Sequence, residues 1–532
     1  MHKEMKTDYE VGQDNVNLLG MDIHNPVFGV SGLAIVAFVV LTLMFQTEAA
    51  EFFGWLRPAI TSNFDWFFLS AGNLFVVFAL GLAISPLGKI RLGGKDAKPD
   101  FGYIGWFALL FAAGMGIGLM YFGVSEPMSH FASSMGGTSV EAGVRTDWAP
   151  LGGAAGDVAA AKELAMAATI FHWGLHPWAI YSAVALALAF FAFNYNLPLT
   201  LRSAFFPLLG DRVWGWPGHI VDVLAVFATL FGLATSLGFG ATQALAGLNY
   251  LYGWGTGQVA TVVLITVITS IALVSVIRGL DGGVKVLSEI NMGLALLLLV
   301  CVLIFGPTSE IFSTIGTGMV SYARELIPLA SPFGREDVNF LQGWTAFYWA
   351  WWVSWSPFVG MFIARVSRGR TVREFILCVI IIPTVLCAIW MGTFGGAAIS
   401  QVIADAAAPV ASAAQEVKLF KMVEGFPWSS LLSLVGIVLV LVFFVTSSDS
   451  GSLVIDIITA GGKLDAPVPQ RVFWAVFEGL VAATLLLVGG TEALSALQAM
   501  TVSTGLPFTL VLIVMCFSLL IGLRRYKATH PV

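Results

Sequence analysis

The sequence predicts an all-α membrane protein of twelve transmembrane helices, on three observations. Of its 532 residues, 58% are hydrophobic and only 11% charged, whereas a water-soluble domain carries roughly 25% charged residues. Apolar stretches near the roughly 20 residues that cross a bilayer as a helix recur along the whole chain, and none alternates as a barrel strand would. The basic residues are unevenly shared: with both termini cytoplasmic, nineteen of the 26 Lys and Arg fall on inner segments and seven on outer ones. That bias orients helical membrane proteins and favours an even number of spans. The expected spans are 27–47, 65–86, 103–125, 164–193, 219–247, 257–277, 287–306, 343–365, 371–396, 429–450, 470–490 and 503–523.

Residues 1–26 read as a polar cytoplasmic tail without a cleavable leader, and 27–102 hold two peripheral spans. Span three contains Gly114, Met115, Gly116, Ile117 and Gly118. Three glycines in five residues cost roughly 3 kcal/mol of helix propensity against alanine. The helix is expected to unwind there and present backbone groups, which a bilayer tolerates only around a cavity or ligand; close packing through small residues is the plainer reading. Residues 126–163 are rich in Gly and Ala and read as a mobile outer segment. In 308–342, Ile311, Ile315, Met319 and Tyr322 recur at helical spacing, an amphipathic helix lying on the membrane or on a neighbour.

Span eight holds Trp344, Trp349, Trp351, Trp352 and Trp355, with Tyr348 among them. Trp344, Tyr348, Trp351 and Trp355 share one helical face over roughly three turns, more than an interfacial aromatic belt occupies. Such a row of π faces suits a poorly solvated onium cation. Span ten ends in Thr446 and Ser447, hydroxyl ligands for a hard monovalent cation. Its TSSDSGS is faintly echoed by TSLGFGA of span five, third in its own five-span unit. Units 103–307 and 343–523 would lie in opposite orientations because five is odd, the inverted-repeat layout of secondary transporters. Residues 524–532 form a short cytoplasmic tail, from which weak or no osmotic activation is expected.

Several classes are excluded. The four cysteines lie in spans without metal-ligand spacing, no basic patch suggests nucleic acid, and no nucleophile, metal cluster or acid–base pair suggests an enzyme. A channel would need a sustained polar stripe, and no span has one.

GMGIGLMYFGVSEP and GWTAFYWAWWVSWSPFVGMFIARVSRGRTVREF resemble the two signature stretches of the betaine/choline/carnitine transporter family, and FHWGLHPWAIY and FFVTSSDSGS agree. The resemblance covers essentially all twelve spans. It implies a leucine-transporter-like inverted-repeat core behind two extra helices, and a homotrimer joined through the outer amphipathic helix. It implies an aromatic box of Trp173, Trp178, Tyr181 and Trp352, with Trp351 and Trp355 along the adjoining route. One sodium would sit on carbonyls of Ala112, Met115 and Phe443 and the hydroxyls of Thr446 and Ser447. A second would lie near Thr229 and Phe358, although Leu233 stands where another hydroxyl would help and Thr235 or Ser236 would have to substitute.

The lining parts of spans three, four and eight carry no evident carboxylate, Glu126 being placed at the interface about 12 Å beyond the glycine break. A zwitterion brings its own anion, so glycine betaine or dimethylsulfoniopropionate ranks above choline, with carnitine and ectoine behind. Sodium symport across a bacterial inner membrane is the expected mode, with no cofactor. Proton coupling through His172 or His176 is the alternative, for which no neighbouring acceptor is evident. Asp222, Asp449 and Glu478 read as interfacial or loop-pairing groups.

Overall fold

In the computed structural model, residues 5–114, 116–278, 284–490 and 493–530 are described. Two antiparallel strands, β1 (Asn15–Leu18) and β2 (Met21–His24), precede α1 (Asn25–Met44) and α2 (Gln46–Ile84). Span three is two helices, α3 (Tyr103–Gly114) and α4 (Ile117–Gly136), followed by the small hairpin β3 (Val140–Glu141) and β4 (Val144–Arg145). Span four is likewise divided, into α5 (Val158–Trp173) and α6 (Leu175–Tyr195). A short α7 (Phe206–Leu209) leads to α8 (Trp216–Tyr252), α9 (Gln258–Arg278), α10 (Val284–Phe305) and α11 (Thr308–Ala330). Then come α12 (Val338–Phe340), a π-helical turn Leu341–Thr345, α13 (Ala346–Val366) and α14 (Val372–Ala404). The chain closes with α15 (Lys418–Val423), α16 (Ser429–Thr459), α17 (Val468–Gly489) and α18 (Ala493–Thr529).

Ten helical segments among the described residues are long and apolar enough to cross a membrane. The two expected spans outside that set are the third and the eighth. One is split by glycines, and the other, α13, dilutes its apolar run with indoles and hydroxyls. These two segments carry the candidate site. Helix α2 begins at Gln46 rather than 65 and α18 at Ala493 rather than 503, because helices continue past the bilayer where hydropathy no longer reports them.

The amino-terminal segment is folded. Leu19 and Gly20 both take positive φ (51° and 78°), the requirement of a two-residue hairpin turn. Asn15 donates to the Ala460 carbonyl (2.9 Å) and Asp22 pairs with Lys463, both in the α16–α17 connection. Tyr9 stacks on Trp214 at 4.2 Å, and the Trp214 indole donates to Thr7. His24 and His219 flank Arg202, whose Nε lies 2.5 Å from Asp222 Oδ2. Asp222 is therefore a fully buried partner of a buried arginine, the loop-pairing role of the two expected for it, because the segment 202–205 folds back over the start of α8.

The outer segment after α4 is pinned, not mobile. Arg145 grips Asp147 with both arms (2.7 and 3.0 Å), Asn339 donates to carbonyls of both residues, and the Leu151 amide donates to Asp337. The Arg145 bonds hold the Asp147 carboxyl down at about 2. A depressed folded-state value adds stability above the unfolded carboxyl range, lost as pH falls through the folded value. Acidification from about pH 4 to about pH 2 is therefore expected to loosen this loop, read as faster limited proteolysis between β4 and α5, and Asp147→Asn should show that rate already at neutral pH. Unchanged cleavage would refute the clamp.

Candidate functional site

The break in span three is real: Gly116 is fully extended (φ −169°, ψ −171°) between the two helices. Gly118 opens α4, where an added Cβ would lie 2.9 Å from the Trp173 ring and 3.0 Å from the Trp351 ring. Only a hydrogen at this position lets both indoles approach. At Gly174, between α5 and α6, a Cβ would sit 2.6 Å from the Ile170 carbonyl oxygen. The interruption turns Trp173 on one side, and Trp178 and Tyr181 on the other, toward α13.

These pieces surround one cavity of about 30 Å³, lined by Gly116, Gly118, Trp173, Trp178, Tyr181, Trp351, Trp352 and Trp355, with Ile117, Leu119, Ser236 and Cys387 completing the wall. Trp173 stands edge-on to Trp352 (4.9 Å, 81°), Tyr181 is perpendicular to Trp352 (5.9 Å, 90°), and Trp178 meets Tyr181 at 78°. Every indole N–H of the group is tied to a protein acceptor. Trp352 donates to the His172 carbonyl (2.9 Å), Trp178 to the Trp173 carbonyl (3.2 Å) and Trp355 to the Gly232 carbonyl (3.1 Å), while Trp351 donates to the Ser236 hydroxyl (3.2 Å). With polar edges held, the rings can offer π faces to a ligand. The volume has room for only about two waters, so the rings must part to admit a methylated onium group. Gly114 ends α3, and Met115 lies outside the described residues.

Behind the cage sits a residue misplaced by the sequence reading. Glu126 is fully buried at the middle of α4, because that helix runs on to Gly136. Its carboxylate accepts from four donors: His130 (3.2 Å) and His172 (2.7 Å) on Oε1, Trp173 (2.7 Å) and Tyr348 on Oε2. One of those donors, Trp173, lines the cavity and another, Tyr348, stacks on Trp352, so Glu126 positions rings and brings negative charge within one indole of the cavity. The expectation of no nearby carboxylate is overturned, as is the absence of an acceptor for His172. The signal was present as a lone acid in an apolar run. His176 packs flat on Trp349 (5.2 Å, 10°) and bonds Asn73.

A second cavity, about 60 Å³, is lined by Ala112 of α3, Phe443 and Thr446 of α16, and Ser288, Asn291, Met292 and Ala295 of α10. Asn291 was not singled out by the sequence; it is buried, and its side-chain carbonyl has no partner among the described residues. Thr446 donates to the Val442 carbonyl, leaving its oxygen free to accept a cation. Hydroxyl, amide and backbone oxygens fit a hard monovalent ion. Ser447 is buried beside this lining but not in it. For the second expected ion, Thr229 is buried with an unpartnered hydroxyl, and Phe358 packs on Trp355. Thr235 bonds the Leu497 carbonyl and Thr501 of α18, and Ser236 faces the aromatic cavity.

A helical membrane bundle with a broken span, an aromatic chamber and a second, oxygen-lined pocket defines a transporter. The chain belongs to the betaine/carnitine/choline family of transporters, whose family model matches residues 26–528. It is 62% identical to a glycine betaine/proline/choline transporter of Vibrio parahaemolyticus, covering 97% of this chain and 94% of that one. It is 56% identical to glycine betaine transporter 1 of the same organism, covering 98% of each. A glycine betaine/proline/choline/ectoine transporter, again from that organism, is 54% identical over 98% of this chain and 91% of its own.

Proposed function

We propose that the chain takes up glycine betaine by sodium-coupled alternating access, with dimethylsulfoniopropionate the next substrate. Trp352, with Trp173 and Tyr181 each near perpendicular to it and the indole edges held away, carries this reading. The three Vibrio relatives, each a glycine betaine transporter, support the betaine part of it. The broken span and α13, first members of two five-helix units, would form the inverted-repeat core. The face bearing the amino terminus would be cytoplasmic in a bacterial inner membrane. Helix α11 packs one side on α5 and α14 and exposes Phe312, Val320 and Ile327, a surface suited to contact within a homotrimer.

Glu126 favours a second reading: a negative charge behind Trp173 can stabilise a bare cation such as choline, and its bond to His172 provides a pair able to titrate. Uptake of labelled betaine into proteoliposomes, with sodium and proton gradients imposed separately and choline, proline, carnitine and ectoine as competitors, separates the two. Betaine accumulation driven by a proton gradient alone would refute sodium coupling. Thr446→Ala is expected to raise the half-saturating sodium concentration by about tenfold or more, the worth of a hydrogen-bonding ligand to a charge, and Ser447→Ala, beside the lining rather than in it, by less. Unaltered sodium dependence in both would move the ion elsewhere.

A further inference from the structure

Helix α6 starts in the middle of a membrane-crossing stretch, Val158–Tyr195, without a cap of its own. Its N-cap is Gly174, which has no side chain to accept from the first-turn amides, and Pro177 in that turn has no N–H. A bare amide at a helix start is costly away from water. The Leu175 amide is satisfied from another helix: it donates to the Tyr322 hydroxyl of α11 (3.2 Å). A Cβ on Gly174 would come within 3.1 Å of that hydroxyl oxygen, so the phenol reaches into the gap between α5 and α6.

The phenol is firmly seated. Tyr322 is buried, and Thr314, Gly318 and Tyr322 recur every four residues along the face that α11 turns to α5 and α14. Small residues bring these helices close. A Cβ on Gly318 would lie 3.1 Å from Met166 of α5, and one on Gly392 of α14 would lie 2.5 Å from Ile315. On the chamber side the same gap is bridged by the Trp178 indole, which donates to the Trp173 carbonyl (3.2 Å). Trp178 follows Leu175 by about one helical turn, and Tyr181 by about two. The break that separates Trp173 from Trp178 and Tyr181 is thus spanned twice, once within the chamber wall and once from α11.

We infer that Tyr322 is a positioning residue for the aromatic chamber. Its hydroxyl fixes the start of α6, and with it the near-perpendicular setting of Tyr181 on Trp352 and of Trp178 on Tyr181. The inference rests on the chamber being where the onium group binds. It adds that α11, which contributes no described residue to the cavity wall, sets the affinity of the chamber from behind. A phenylalanine at 322 would fill the same space and leave the Leu175 amide without its acceptor, freeing the first turn of α6 to shift.

Labelled-betaine uptake by the full chain in proteoliposomes tests the assignment. Tyr322→Phe should raise the half-saturating betaine concentration by about fivefold, the scale of one lost hydrogen bond, with the maximal rate per inserted protein retained. The parent's half-saturation in Tyr322→Phe overturns the inference. A lower maximal rate at unchanged half-saturation also overturns it, since that is what a merely structural role gives. Trp352→Ala, measured alongside, separates the two readings. If it too keeps the parent's half-saturation, the chamber is misplaced and Tyr322 falls with it; if it alone raises that value, the chamber stands and the role of Tyr322 falls. Hydrogen exchange of the parent needs no variant to fold: the Leu175 amide should exchange slowly, and a fast-exchanging amide there refutes the hydroxyl contact.

Discussion

Trp352→Ala is expected to raise the substrate concentration for half-maximal uptake by roughly 30-fold, with the protein still inserted and folded. Its ring meets Trp173 and Tyr181 at near right angles, and its N–H is held by the His172 carbonyl. A desolvated cation–π contact is worth about 2 kcal/mol, and each 1.4 kcal/mol is a factor of ten. Trp352→Phe keeps a π face but drops the tether, so it should fall between the parent and the alanine variant. Labelled-betaine uptake across a concentration series reads the effect. If Trp352→Ala and Trp178→Ala both transport with the parent's half-saturation, the aromatic chamber is not where the onium group binds.

Glu126→Ala should be more damaging still. Four donors on three elements converge on this carboxylate, and truncation would leave His130, His172, Trp173 and Tyr348 without their acceptor inside the bundle. Removing one side of a buried charged network costs about 3–5 kcal/mol. The expected result is a clear drop in thermal-unfolding temperature together with loss of uptake. Glu126→Gln retains the shape and one acceptor, so it should recover much of the stability. Because it removes the charge, it should weaken choline competition more than betaine uptake. An alanine variant that unfolds with the parent and transports normally would reduce Glu126 to a bystander.

What could be read from the chain follows from where the information is local. Span number and type rest on runs of apolar residues, and the broken helix rests on three glycines within five positions; both survive without knowledge of neighbours. The aromatic row of α13 comes from its spacing along one helix, whereas Trp173, Trp178 and Tyr181 on α5 and α6 come from the resemblance of FHWGLHPWAIY to a family motif. Glu126 was lost because its meaning is non-local: its donors come from α4 itself, α5 and α13, and distance along a helix alone suggested an interface. Asp449 and Glu478 were misplaced for a related reason. The polar run Ser447–Ser452 ends the hydropathy signal of span ten, yet α16 continues to Thr459 and keeps Asp449 inside, while Glu478, within span eleven, is buried where α17 faces α16. Asn291 shows the same blind spot, since a single amide in an apolar helix acquires a role only when α3 and α16 are placed beside it.

The amino-terminal hairpin has a mechanical corollary. Through Asn15 and Asp22 it grips the α16–α17 turn, and through Thr7 and Tyr9 it grips Trp214 ahead of α8, so one small splint bridges turns from opposite halves of the chain. Any swing that separates those halves at this end has to peel the splint away, whereas a swing pivoting there leaves it seated. The hairpin thus biases the molecule toward hinging at one end and gaping at the other.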